Sequence, residues 1–151
     1  MSQRSKVLQL QPDYNVKAHD FADLAEQIVK ALPSDRYELT AAFLRGKPAP
    51  GEPVSRADRS VYFEFSDKSL KGMRLRAMWQ LYKFCRREKF DVVICNRFKP
   101  VNMMLTLNRW LKVPLCIGIS HGFGEYDRFY RRRQTQRLID RHWRFVGVSP
   151  A

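Results

Sequence analysis

Two short, nearly all-apolar runs lie thirty residues apart at most in this chain: Asp91-Val-Val-Ile-Cys95 and Pro114-Leu-Cys-Ile-Gly-Ile-Ser120. Neither shows the polar alternation of a strand with one face in water. Runs of this kind belong to strands buried on both faces, and those occur almost only in parallel sheets covered by helices above and below. The segment between them, opened by Pro100 and running to Leu111, has the length and spacing of a crossover helix. This one unit already excludes an all-α bundle and an all-β sandwich.

The remaining segments extend the alternation. Lys6–Leu10 reads as a short strand and Gln11–His19 as the polar loop after it. Phe21, Leu24, Ala25, Ile28 and Leu32 fall at helical spacing, with Asp20 as the candidate N-cap and Pro33 as the stop. Tyr37–Leu44 and Ser60–Phe65 read as strands, joined by the Gly- and Pro-rich loop Arg45–Arg59, which leaves the direction of the second open. Leu70–Glu88 reads as a long amphipathic helix. Its buried stripe is Leu70, Met73, Ala77, Leu81 and Phe84, and its opposite face is Arg74, Arg76, Lys83, Arg86 and Arg87. Asp127–Asp140 reads as a very basic helix and Trp143–Ser149 as a last strand. The predicted fold is α/β: a Rossmann-like, doubly wound, mainly parallel sheet with helices on both faces. Trp79, Trp110 and Trp143 are expected to pack between helices and sheet.

Composition limits the function classes. The 151 residues make one domain, and 44% hydrophobic content excludes a disordered tail. The formal net charge is +13. Residues 1–65 hold 9 basic and 9 acidic side chains, whereas residues 66–141 hold 18 basic and 6 acidic. The second half of the chain therefore calls for an anionic partner. Nucleic acid is one such partner, but no helix-turn-helix, zinc finger or RNP-type aromatic motif supports specific binding. A stand-alone small-ligand module is the other alternative. Cys85, Cys95 and Cys116 form no C-x-x-C pair and read as buried free thiols, which suits a reducing, cytoplasmic setting and gives no metal site. No cofactor is expected. The first-strand loop lacks G-x-G-x-x-G, and the chain has neither a G-x-x-x-x-G-K-[ST] loop nor a G-x-S-x-G elbow.

Ligands of an open parallel sheet bind beyond the carboxyl ends of the strands, where the strand order reverses. The usual order puts the loops after Leu10, Cys95 and Ser120 there. They supply Asp13, Tyr14, Asn15, Lys17, Asn96, Arg97, Lys99, Ser120, Gly122 and Glu125 as candidate substrate contacts. His121 follows a buried strand directly and precedes Gly122-Phe-Gly124, which sets an imidazole at the carboxyl edge with room for a ligand. It is the candidate catalytic residue. His19 reads as a loop or capping residue. Arg128, Arg131, Arg132, Arg133 and Arg137 lie on the basic helix and together make a candidate anionic docking surface.

These pieces, in this order and spacing, resemble the N-terminal, acceptor-binding domain of GT-B glycosyltransferases of the retaining group called family four. The resemblance rests on the strand Lys6–Leu10, the helix Asp20–Leu32, the strand Tyr37–Leu44 and the segment Phe90-Asp-Val-Val-Ile-Cys-Asn96. It rests further on Val113-Pro-Leu-Cys-Ile-Gly-Ile-Ser-His-Gly122 and Phe145-Val-Gly-Val-Ser149. It implies one half of a GT-B fold, with a second Rossmann-like domain that binds the nucleotide sugar and carries the retaining glutamates. The chain stops two residues past the Ser149 strand end, so the reading is that residues 1–151 are the N-terminal domain and that the nucleotide-sugar domain lies beyond it. The resemblance also implies a role for His121 beside the donor sugar and transfer to a glycan or glycolipid acceptor, as in lipopolysaccharide or capsule synthesis. An anionic acceptor or membrane surface would use the basic half, at the inner face of the membrane. One departure is that the first-strand loop, Gln11-Pro-Asp-Tyr-Asn-Val-Lys-Ala-His19, lacks the family's glycines.

Overall fold

Among the described residues there are nine elements, six of them strands of a single sheet. The computed structural model describes residues 5–13, 24–33, 35–51, 57–65, 75–120 and 141–147. The strands are β1 (Ser5–Asp13), β2 (Tyr37–Arg45), β3 (Arg59–Tyr62), β4 (Val92–Asn96), β5 (Leu115–Ser120) and β6 (Trp143–Gly147). The helices are α1 (Leu24–Ala31), α2 (Leu75–Glu88) and α3 (Phe98–Leu111). The sheet order is β3-β2-β1-β4-β5-β6, and each pairing is parallel. The direction of β3, open in the sequence, is therefore parallel to β2. The order reverses between β1 and β4, as the fold class requires.

Side chains of successive strand residues point to opposite faces, and two cores result. On one face Leu8, Leu10, Val93 and Cys95 pack with Ala77, Leu81 and Phe84 of α2 and Met103, Met104 and Leu107 of α3. On the other, Val7, Leu39, Ile94 and Ile119 pack with Val29 of α1. All three cysteines are buried, and none forms a disulfide. Burial pushes the Cys85 thiol up to about 12, Glu88 adding a smaller upward push, and holds the Cys95 thiol well above its usual range.

Several element bounds differ from the sequence reading, each for a local reason. β1 runs past Leu10 to Asp13, so Gln11 and Asp13 are strand residues rather than loop residues. β2 carries the extension, pairing Gln11 with Phe43 and Asp13 with Arg45, and buried Gln11 shows that a polar side chain need not end a buried strand. β3 is shorter than Ser60–Phe65 because Glu64 takes a left-handed conformation (φ 55°), although Phe63 and Phe65 still donate to the carbonyls of Phe43 and Leu44. α3 starts two residues before Pro100, which is tolerated because first-turn N–H groups have no intrahelical acceptor. Both α2 and α3 stop without glycine. Lys89 and Lys112 take left-handed conformations (φ 56° and 54°), and their N–H groups donate to the Cys85 and Asn108 carbonyls.

The tryptophans divide. Trp143 is buried, as expected, but Trp79 and Trp110 are 58% and 62% exposed. The inner faces of α2 and α3 are already filled by smaller side chains, which leaves both indoles on the outer side. The helices expected over Asp20–Leu32 and Leu70–Glu88 are described from Leu24 and Leu75 onward. The basic helix at 127–140 lies outside the described residues.

Candidate functional site

The carboxyl edge is built from strand ends that line up in register. Leu10 of β1 pairs with Cys95 of β4, Asn96 of β4 pairs with Ile119 of β5, and Ser120 of β5 pairs with Gly147 of β6. β1 continues beyond its last pairing with β4, so the reversal point, where a crevice forms in sheets of this order, lies between Asp13 on one side and Asn96 and Arg97 on the other.

Asn96 is held within the sheet. It is 2% exposed, and its Nδ2 donates to Gln9 Oε1 at 2.8 Å and to the Leu10 carbonyl at 3.3 Å. Gln9 itself is buried on the central strand. An amide committed in this way closes the floor of the crevice by tying β4 to β1. Asn96, a candidate substrate contact in the sequence reading, thus has its Nδ2 engaged within the sheet.

Arg97 follows at once and behaves in the opposite way. It is exposed, and it caps α3 with φ 72° and ψ 176°, a region populated almost solely by glycine. Its N–H donates to the Ile119 carbonyl at 2.9 Å, which fixes the turn against β5. No side chain caps α3 by a hydrogen bond. The first turn of α3 therefore brings the backbone N–H groups of Phe98 and Lys99 to the same edge, Pro100 having none. Donors without an intrahelical acceptor and the positive end of the helix dipole favour an anionic group at such a helix start.

One further group was not singled out by the sequence. Asn102, in the second turn of α3, has a buried Nδ2 with no hydrogen-bond partner among the described residues. A helical asparagine between apolar neighbours gives no sequence signal of that kind; only the packing around it does.

The predicted site residues thus fall into two sets. Asp13, Asn96, Arg97, Lys99 and Ser120 are brought together at the carboxyl edge of β1, β4 and β5. Tyr14, Asn15, Lys17, His121, Gly122 and Glu125 lie outside the described residues, as do Arg128, Arg131, Arg132, Arg133 and Arg137. Ser120 is the last residue of β5, and His121 is next in the sequence. Among the described residues no His, Cys, Asp or Glu cluster could hold a metal ion, and no helix is long and apolar enough to cross a membrane.

Residues 23–151 match the family model Glycosyltransferase Family 4. No curated protein matches the chain.

Proposed function

Because this chain belongs to glycosyltransferase family 4, and carries its GT-B N-terminal, Rossmann-like domain, we propose that it is the acceptor-side half of a retaining hexosyltransferase. The family implies a nucleotide-sugar donor and a glycan acceptor in general terms. On the present reading the acceptor is an anionic glycan or glycolipid of lipopolysaccharide or capsule type. The donor nucleotide sits chiefly on a second domain, which also supplies the retaining carboxylate, and residues 1–151 alone are inactive. The protein works at the inner face of a membrane.

The observation that carries this reading is the crevice at the β1/β4 reversal point, where an exposed Arg97 and an uncapped helix start meet. Arg97, Lys99 and the first N–H groups of α3 would hold a phosphate of the donor or acceptor. His121 would donate a hydrogen bond to a donor sugar hydroxyl, strengthening as charge develops at the breaking glycosidic bond. Asp13, Tyr14, Asn15, Lys17, Ser120, Gly122 and Glu125 would shape the acceptor pocket, and Asn102 adds a donor near the α3 start. Arg128, Arg131, Arg132, Arg133 and Arg137 would meet the anionic part of the acceptor.

The test uses the full-length protein with labelled nucleotide sugars against lipid-linked and soluble glycan acceptors. His121→Ala is expected to lower turnover about 100-fold while the thermal midpoint stays within a degree or so of wild type. Equal loss of stability and turnover would make His121 a packing residue. Tight nucleic-acid binding with a steep salt slope, and no sugar transfer to any acceptor, would overturn the transferase reading.

A further inference from the structure

α2 carries a second apolar stripe that the sheet does not use. Ala77, Leu81, Phe84 and Cys85 face the core, yet Leu75, Trp79 and Tyr82 follow a different line along the helix. Leu75 and Trp79 are 68% and 58% exposed, and across from them Trp110 of α3 is 62% exposed. Together with Met78 and Leu107 these side chains line an apolar groove of about 360 Å³ between the two helices. Tyr82 and Trp110 also border a second cleft, of about 480 Å³, whose rim carries Arg86, Lys89 and Lys112. The two share a wall and form one surface: aromatic in the middle, cationic at the edge.

The cations are arranged on the rings. Lys83 Nζ lies 5.7 Å from the Trp79 centroid, and Arg109 Cζ lies 5.7 Å from that of Trp110. Arg86 sits 6.0 Å from the Tyr82 ring, and its Nη1 donates to the Tyr82 hydroxyl at 2.9 Å. α2 and α3 contain one acidic residue, Glu88, and it is turned away to Lys6 and Arg59. Asp91, on the cleft rim, accepts the Lys6 N–H. Exposed indoles backed by Lys and Arg, with acids withdrawn, match the headgroup boundary of an anionic bilayer. The buried core of a protein interface, by contrast, is depleted in lysine.

We propose that the α2–α3 face is the membrane-docking surface of this protein, seating Trp79, Trp110 and Leu75 at the acyl boundary of an anionic phospholipid bilayer. The purpose of such docking rests on the acceptor-side reading above, but the binding itself does not. Trp110 lies at the far end of α3 from the crevice, roughly 18 Å along the helix. Docking there leaves the crevice open to an acceptor anchored in the same bilayer.

The experiment is flotation of the full-length protein with vesicles of phosphatidylcholine alone or doped with phosphatidylglycerol, run beside the transfer assay. Wild type is expected to float with the anionic vesicles and to be released by high salt. Trp79→Ala and Trp110→Ala, both at exposed positions, should each weaken binding roughly tenfold with the thermal midpoint unchanged. Arg86→Glu with Arg109→Glu should weaken it by more than tenfold. Binding that survives both tryptophan variants but is lost on replacing Arg131, Arg132 and Arg133 would overturn the assignment. So would sugar transfer by a protein that floats with neither vesicle, or concentration-dependent dimerisation abolished by Trp79→Ala without vesicle binding. Flotation without transfer would leave the docking surface standing and remove the transferase reading.

Discussion

Arg97 holds a conformation that costs a residue with a Cβ about 1–3 kcal/mol. That cost is tolerated because the turn is fixed from both sides, by the N–H bond to Ile119 and by the start of α3. Glycine would adopt the same turn without strain, though it loses about 0.5–1 kcal/mol more chain entropy on folding. Arg97→Gly is therefore expected to leave urea stability unchanged or raise it, while the KM for the phosphate-bearing substrate increases. A fall in both would show the side chain to be a packing element. Asn96 and Arg97 also mark how far a site can be read from residues alone. The sequence places both at the right edge of the sheet, because a buried strand followed by a polar pair is visible in one dimension. It does not reveal that Asn96 turns inward to Gln9 while Arg97 turns outward, since that depends on which strand lies alongside. Buried thiols were legible for the opposite reason: Cys95 and Cys116 sit inside apolar strand runs, and Cys85 falls beside Leu81 and Phe84 on the apolar face of α2.

At the scale of elements, one carboxylate, Glu88, ties three elements together at the amino edge of the sheet. Glu88, at the end of α2, receives Arg59 Nη1 from the start of β3 at 2.7 Å and Lys6 Nζ from β1 at 3.2 Å. Lys6 Nζ also donates to the Glu88 backbone carbonyl. The Glu88 side chain is only 16% exposed. The Arg59 hydrogen bond, followed by that from Lys6, lowers its pKa in spite of an opposing desolvation. A carboxyl with a lowered folded-state pKa contributes stability above its unfolded value of about 4.3 and loses it as pH falls through the folded value. Glu88→Gln should accordingly lower the thermal midpoint at pH 7 and flatten its decline below about pH 4.3. Equal slopes in wild type and variant would mean the clamp adds nothing. The sequence predicted each of these elements and missed their fastening, because Lys6, Arg59 and Glu88 have no periodic relation along the chain. It also missed the exposed tryptophans. An aromatic residue on an amphipathic helix reads as core, and only the observed fullness of the α2 and α3 inner faces puts Trp79 and Trp110 outside.

For the whole molecule, the parallel sheet and its order were legible because apolar strands and helices alternate so regularly, and right-handed crossovers leave few other arrangements. The +13 charge, which alone suggests nucleic acid, belongs to the half of the chain that holds α2 and α3. The charge-balanced first half, residues 1–65, contains β1, β2 and β3 side by side. Expressed alone it would leave β1 with a bare edge and strip α2 and α3 from one entire face. Such a fragment is expected to show no slowly exchanging amides and no near-ultraviolet circular dichroism, and protected β1–β2 amides would contradict this. β1 is synthesised before the other five described strands, yet it lies at the middle of the sheet, and Lys6 meets Asp91 across 85 residues of chain. At a ribosome's pace of about 5–20 residues per second, that separation lasts about 4–17 s. Throughout that interval Val7–Leu10 has at most one partner strand, β2. The cell's translation speed and its hold on nascent chains, rather than the stability of the finished sheet, then set how much of this protein escapes aggregation.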